Sequence, residues 1–215
     1  MERRKPLKSG RDAAQTSFVL GYHGCDKAIG LKAVAGQLDL IQSEQAYDWL
    51  GPGIYFWEGD PLRALEWAQS KKFEEPFVVG AVLDLRNCLD LMVRENLDLL
   101  ASAYDSYVAQ QQKSNLEILE NESTRDSKAG DDKKLRFLDC AVITHLHKIL
   151  DDAQSAPSRD LPAVVQPFDT VRGLFEEKPE AYPGSGFFKN THSQIAIRNL
   201  DCIVEIFVPR KFHST

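Results

Sequence analysis

The chain of 215 residues is 43% apolar and 27% charged with a formal net charge of -6, a balance that suits one globular domain over residues 1–215 and gives no general pull toward nucleic acid or an anionic membrane. No apolar run approaches the ~20 residues that cross a bilayer, and the chain does not open on the apolar stretch of a secretory signal, so a cytoplasmic setting is expected. The four cysteines, Cys25, Cys88, Cys140 and Cys202, are too dispersed to form a CxxC pair. No metal site is expected from them, and reduced thiols are the default.

The basic arm at the start (Arg3, Arg4, Lys5, Lys8, Arg11) reads as a solvated terminus rather than a binding element. Residues 17–23, "SFVLGYH", have the pattern of a buried strand, and Asp26 caps a helix expected to reach about Ala35. After a loop over 36–52, "GIYFW" reads as a short strand. Asp60 then serves as N-cap with Pro61 at the first helical position, opening a helix to about Lys72. "FVVGAVLDL", residues 77–85, is the clearest buried strand of the first half.

From about Met92 to Glu122 the spacing is helical, residues 126–134 read as a connector, and a second helix follows. Its apolar face is expected to carry Phe137, Leu138, Ala141, Val142, His145, Leu146, Ile149 and Leu150. On that face His145 reads as a satisfied histidine rather than a ligand, with His147 pointing elsewhere. Residues 92–153 thus form a helical insertion between β-rich ends, and the fold class is α+β. "SQIAIRN" and "CIVEIFVP" close the chain as two strands, with Asn199-Leu200-Asp201 between them as a hairpin connection.

Three pieces carry chemistry. Tyr22-His23-Gly24 ends the first strand, where glycine lets a backbone approach a ligand. "GPGIYF" places Gly53 and Tyr55 at the second strand, with Trp67 on the helix behind it. "THSQIAIR" places Gln194 at the start of a late strand. Together these resemble the ADP-ribosyltransferase superfamily in its poly(ADP-ribose) polymerase and diphtheria-toxin branch, where a Y-H-G strand, a G-x-G-I-Y-F strand and a glutamate opening a late strand make the His-Tyr-Glu signature. The likeness covers roughly residues 18–85 and 186–208, and it implies a split, mixed or antiparallel β-sheet.

The resemblance implies that His23, Tyr55 and Gln194 are the catalytic set and that Tyr22, His23, Gly24, Gly53, Tyr55 and Trp67 bind NAD+ as substrate. His23 and Tyr55 should sit on adjacent strands with side chains converging on one cleft, and a placement on opposite faces of the sheet would count against the NAD+ reading. Nicotinamide in NAD+ is a flat cation that favours aromatic walls, about 0.5–2 kcal/mol each, and Gly24 is assigned its carboxamide. Gln194 departs from the glutamate. An amide can accept a bond from a ribose hydroxyl but is neither a charge nor a base, so poly(ADP-ribose) elongation is not expected.

The implied activity is transfer of one ADP-ribose to a macromolecular acceptor, protein or nucleic acid, with release of nicotinamide. A carboxylate at Glu176, Glu177 or Glu180 is the alternative third group, and Tyr182, Phe187 and Phe188 would face the acceptor. Arg172 and Arg198 are open between pyrophosphate contacts and surface ion pairs. By analogy such a protein is a bacterial or phage-related toxin with a neutralising antitoxin partner. An inactive NAD+ or ADP-ribose binding module and an NAD+ glycohydrolase are the rival readings.

Overall fold

The computed structural model describes residues 18–124, 133–155 and 166–210. The basic arm and most of the connector over 126–134 lie outside them. The strands are β1 (Phe18–Asp26), β2 (Ile54–Glu58), β3 (Pro76–Asp84), β4 (Cys88–Asp90), β5 (Thr170–Phe175), β6 (His192–Ile197) and β7 (Ile203–Phe207); the helices are α1 (Lys27–Val34), α2 (Pro61–Ser70), α3 (Arg94–Lys113) and α4 (Phe137–Ser155). The protein is a mixed α+β structure built on one seven-stranded sheet in the order β4-β5-β6-β2-β1-β3-β7. All neighbours are antiparallel except β4 and β5.

Local chemistry sets the boundaries. Asp26 accepts the Ala28 N–H at 3.0 Å and the Glu75 N–H at 3.2 Å, ending β1, capping α1 and tying both to the approach of β3. Asp60 accepts from Arg63 N–H at 3.1 Å, with Pro61 following it. Helix α3 stops at Lys113, short of the expected Glu122, because Asn115 takes a positive φ of 52°. The Leu116 N–H then returns to the Gln111 carbonyl at 2.9 Å and the Asn115 N–H to Gln112 at 3.1 Å, the paired bonds of a Schellman ending.

The pleat sorts side chains onto two faces. Ile54, Phe56, Val79, Ala81, Leu83, Ile195 and Ile197 join Ala33 of α1 in one core. On the opposite face Leu50, Leu89, Val171 and Ala196 pack with Ala103, Tyr107, Ile143 and Leu146 of α3 and α4, while Trp57 and Val78 meet Ala64 of α2. The helices within the 92–153 insertion therefore share a core with the sheet and form its second layer.

Two further expectations are corrected. Residues 199–201 do not make a hairpin: Leu200–Cys202 is a 3-10 turn, β6 lies between β5 and β2, and β7 pairs with β3 at the far edge. The turn crosses the sheet's end because both sides of β6 are already taken. On α4 the buried residues are Cys140, Val142, Ile143, Leu146, His147 and Leu150. The apolar stripe is rotated from the expected one: Ile149 is 40% exposed and His147 only 4% exposed, while His145 meets Ser106 Oγ of α3 at 3.0 Å. Packing on the sheet and on α3 at once sets that rotation, which helical periodicity on its own does not contain.

Candidate functional site

The ladder between β1 and β2 holds at Gly21–Glu58 and Tyr22–Trp57, while β1 stays paired with β3 from Phe18 through Asp26. The sheet opens beside the second half of β1. The Gly59 N–H donates to the Leu20 carbonyl at 3.0 Å, so alternate residues Leu20, Tyr22 and Gly24 turn their peptide groups toward β2. A continued ladder would pair Gly24 with Tyr55. Instead His23 Nδ1–H donates to the Tyr55 carbonyl at 2.8 Å. The imidazole takes the acceptor that a ladder bond would have used, and the Gly24 N–H and C=O are left facing the opening.

Burial lowers the His23 pKa, with the bond to Tyr55 pulling the other way. A neutral ring with its proton on Nδ1 leaves Nε2 as an acceptor. Gly24 has a second reason to be glycine: a Cβ there would lie 2.3 Å from the Ala64 carbonyl oxygen and 3.2 Å from Ala68 Cβ, so α2 could not pack as it does.

A cavity of about 470 Å³ occupies the opening, and His23, Gly24, Tyr55, Trp67 and Gln194 all line it. His23 and Tyr55 do not converge from one face, however. His23 pairs with Val79, and its ring lies 5.6 Å from Phe56, on the α1 face. Tyr55 packs with the α3–α4 core. They reach one cavity because the strands part between them. Tyr22 and Gly53 are not among the lining residues: Tyr22 packs with Trp57, Leu65 and Trp67, and a Cβ at Gly53 would sit 2.9 Å from the Ile197 carbonyl.

The Tyr55 ring is fixed by its hydroxyl, which accepts from Leu50 N–H at 3.0 Å and donates to the Gly51 carbonyl at 2.8 Å. Burial, then the Asp48 charge, pushes its pKa far up, so it stays a neutral phenol. Trp67 stands 5.8 Å from Trp57 and 6.1 Å from Phe73, with Lys71 Nζ 5.1 Å from its ring centre. Gln194 is buried, and its Oε1 accepts from Trp49 Nε1–H at 2.6 Å.

Trp49, Trp57, Asp48 and Lys134 also line the cavity and were not selected from sequence. Trp57 had a signal, since it lies two residues beyond Tyr55 on one strand and so on the same face. Trp49, Asp48 and Lys134 stand outside regular elements, where no periodicity points at them. Burial raises the Asp48 pKa, opposed by bonds from Ser43 and from the Gln45 N–H.

The alternative carboxylates are elsewhere. Glu177 pairs with Arg63 at 2.7 Å and Lys134 at 2.5 Å, Glu180 accepts from Gly184 N–H at 2.8 Å, and neither lines the cavity, nor does Glu176. Tyr182 and Phe187 stand on the surface, 59% and 72% exposed. Arg172 makes two 2.8 Å bonds to Glu58 and one of 3.1 Å to Asp90. Arg198 pairs with Asp151 at 3.0 Å and holds the Phe168 carbonyl at 2.6 Å. Both arginines are ion-paired within the fold.

A second cavity of about 410 Å³ lies against α4, lined by His147, Lys148, Asp151, Asp152 and Arg198 among others. Gln42 borders both cavities. Both ring nitrogens of His147 are buried without a partner among the described residues, and burial, then Arg198, lowers its pKa to about 3. Among the described residues no group of three or more His, Cys, Asp or Glu is placed to hold a metal, and no helix is long and apolar enough to cross a membrane.

These features define the molecule as an α+β protein with a mixed sheet opened at one joint and a cavity in the opening. Compared with protein-family models, curated proteins and solved structures, the chain matches none.

Proposed function

We propose that this chain is an NAD+-dependent mono-ADP-ribosyltransferase on an ADP-ribosyltransferase-like split sheet, with glutamine where the His-Tyr-Glu signature has glutamate. One observation carries the reading: where β1 and β2 part, a peptide group at Gly24 faces a cavity that His23, Tyr55, Trp67 and Gln194 also line. The Gly24 N–H and C=O match the acceptor and donor of a carboxamide. Tyr55, Trp57 and Trp67 supply aromatic surface for a cationic ring, and Asp26, Glu44 and Asp48 line the same space. Those carboxylates favour the nicotinamide cation and oppose the diphosphate. Lys134 is the only Lys or Arg among the described lining residues; it is paired with Glu177 at 2.5 Å, so a diphosphate there has to compete with that carboxylate.

In the reaction the bond from ribose C1′ to the nicotinamide nitrogen breaks, the electron pair leaves with neutral nicotinamide, and an oxocarbenium-like centre is taken by a nucleophile that then loses its proton. With no carboxylate at position 194, the acceptor on protein or nucleic acid must already be a good nucleophile.

The second reading is an inactive NAD+ or ADP-ribose binding module, favoured by the Gln194 amide being held by Trp49. Labelled NAD+ added to lysate with the pure protein, followed by separate protease and nuclease digestion, tests both. Label on a macromolecule supports transfer. Nicotinamide release without label means glycohydrolysis, binding without turnover means the inactive module, and no binding by calorimetry overturns the NAD+ reading.

A further inference from the structure

We infer that Gln194 works as a hydrogen-bond donor, and that Trp49 is the positioning residue that makes it one. An indole N–H can donate and cannot accept, so the 2.6 Å contact fixes Oε1 of Gln194 toward Trp49. The amide NH2 is then the end that Gln194 offers to a ligand. This is the reverse of the role a glutamate would have there.

Trp49 is built to hold that bond. Its ring lies where a Cβ of Gly173 would come within 2.7 Å of it, and Gly173 is the residue paired with Gln194 across β5 and β6. Phe175, two residues on, meets the same indole edge-on at 5.2 Å. A glycine on one strand thus admits the ring that orients the amide on the next.

The other neighbour of Gln194 is Trp57 on β2. Its Nε1–H is buried without a partner among the described residues, and Trp57 lines the same cavity. Being buried, that N–H is not open to the cavity, so the donor this wall offers is the Gln194 amide. A ligand oxygen that reaches it must accept, and a ribose hydroxyl accepting from Gln194 must direct its own proton elsewhere. His23 Nε2, the nitrogen left free when Nδ1–H is given to Tyr55, is an acceptor in the same lining.

The catalytic consequence rests on the NAD+ reading above; the amide lock does not. Two measurements separate them. The first is NMR of 15N-labelled full-length protein without ligand. The Trp49 indole proton should be shifted downfield and protected from solvent exchange, and Gln194→Met should abolish both effects. An indole proton equally exposed in both proteins overturns the lock.

The second is steady-state turnover of NAD+. Gln194→Met and Trp49→Phe should each lower kcat about three- to tenfold with KM changed less than twofold, as loss of one neutral hydrogen bond does. The double variant should fall no further than the worse single one. Gln194→Glu offers acceptors and no donor, so its kcat should match or fall below that of Gln194→Met. A Gln194→Glu enzyme faster than wild type would show that an acceptor is wanted and overturn the donor role. If wild type neither binds nor turns over NAD+, the reading of the site fails, and the indole resonance alone decides whether the amide is locked.

Discussion

The two cavities are each lined by a histidine, His23 half-buried and His147 buried, and the two rings are used in opposite ways. His23 sits where a strand pair separates and spends its Nδ1–H on the Tyr55 carbonyl. His147 sits on a helix face with neither ring nitrogen partnered among the described residues. The first ring holds an opening apart and leaves one acceptor beside it. The second carries only the cost of burial. A buried imidazole becomes informative when its partners say what the neighbouring backbone has been released to do.

The sharpest way to break this contrast is at Gly24. Its added Cβ would meet backbone of α2, which cannot swing aside like a side chain, so Gly24→Ala should destabilise by about 1–3 kcal/mol and, by displacing α2 with Trp67 of the cavity wall, weaken binding. Urea unfolding and nicotinamide titration check both parts. Wild-type stability with intact binding would mean that α2 is not pinned there.

His23→Ala should cost about 1–3 kcal/mol by stranding the Tyr55 carbonyl, and should abolish nicotinamide binding as well. Stability would recover without binding if Gly24 took up the vacated acceptor, and Gly24 amide exchange slowed in the variant would reveal that zipping.

His147 gives the pH test. Its folded pKa of about 3 lies below the ordinary 6.5, so protons favour the unfolded chain. Its contribution is fully present above pH 6.5 and is lost as pH falls toward 3. Between pH 8 and pH 5 the loss is about 2 kcal/mol. His147→Leu should remove this share of the acid destabilisation, measured as unfolding midpoints across pH, and an unchanged pH slope would contradict it.

The smallest effect is expected from the same variant at pH 8. Removing two unpartnered ring nitrogens should stabilise by about 1 kcal/mol and leave nicotinamide binding in the first cavity unchanged. Altered binding would show that Gln42, which borders both cavities, transmits a change between them.

Much of the fold was legible because it is local. Asp26 and Asp60 cap as their positions imply, and β1, β2, β3, α1 and α2 fall within a few residues of their expected limits. β4 is three residues long and β5 carries Arg172 and Gly173 in its middle, so neither shows a period that sequence can register. The hairpin at 199–201 failed because two consecutive strands suggest pairing, whereas sheet order is decided by which edges remain open.

At the site, the resemblance to the His-Tyr-Glu signature singled out His23, Gly24, Tyr55, Trp67 and Gln194, which line the cavity, and Tyr22 and Gly53, which do not. Their relation came from tertiary structure. Two paired positions between β1 and β2 set where the sheet opens, and through that opening His23 and Tyr55, on opposite faces of the sheet, line a shared cavity. Trp49 reaches Gln194 across 145 residues of chain from a loop whose shape depends on the Tyr55 hydroxyl. An amide has two ends that sequence cannot tell apart; which end faces a ligand is decided by the donor that packing brings against the other.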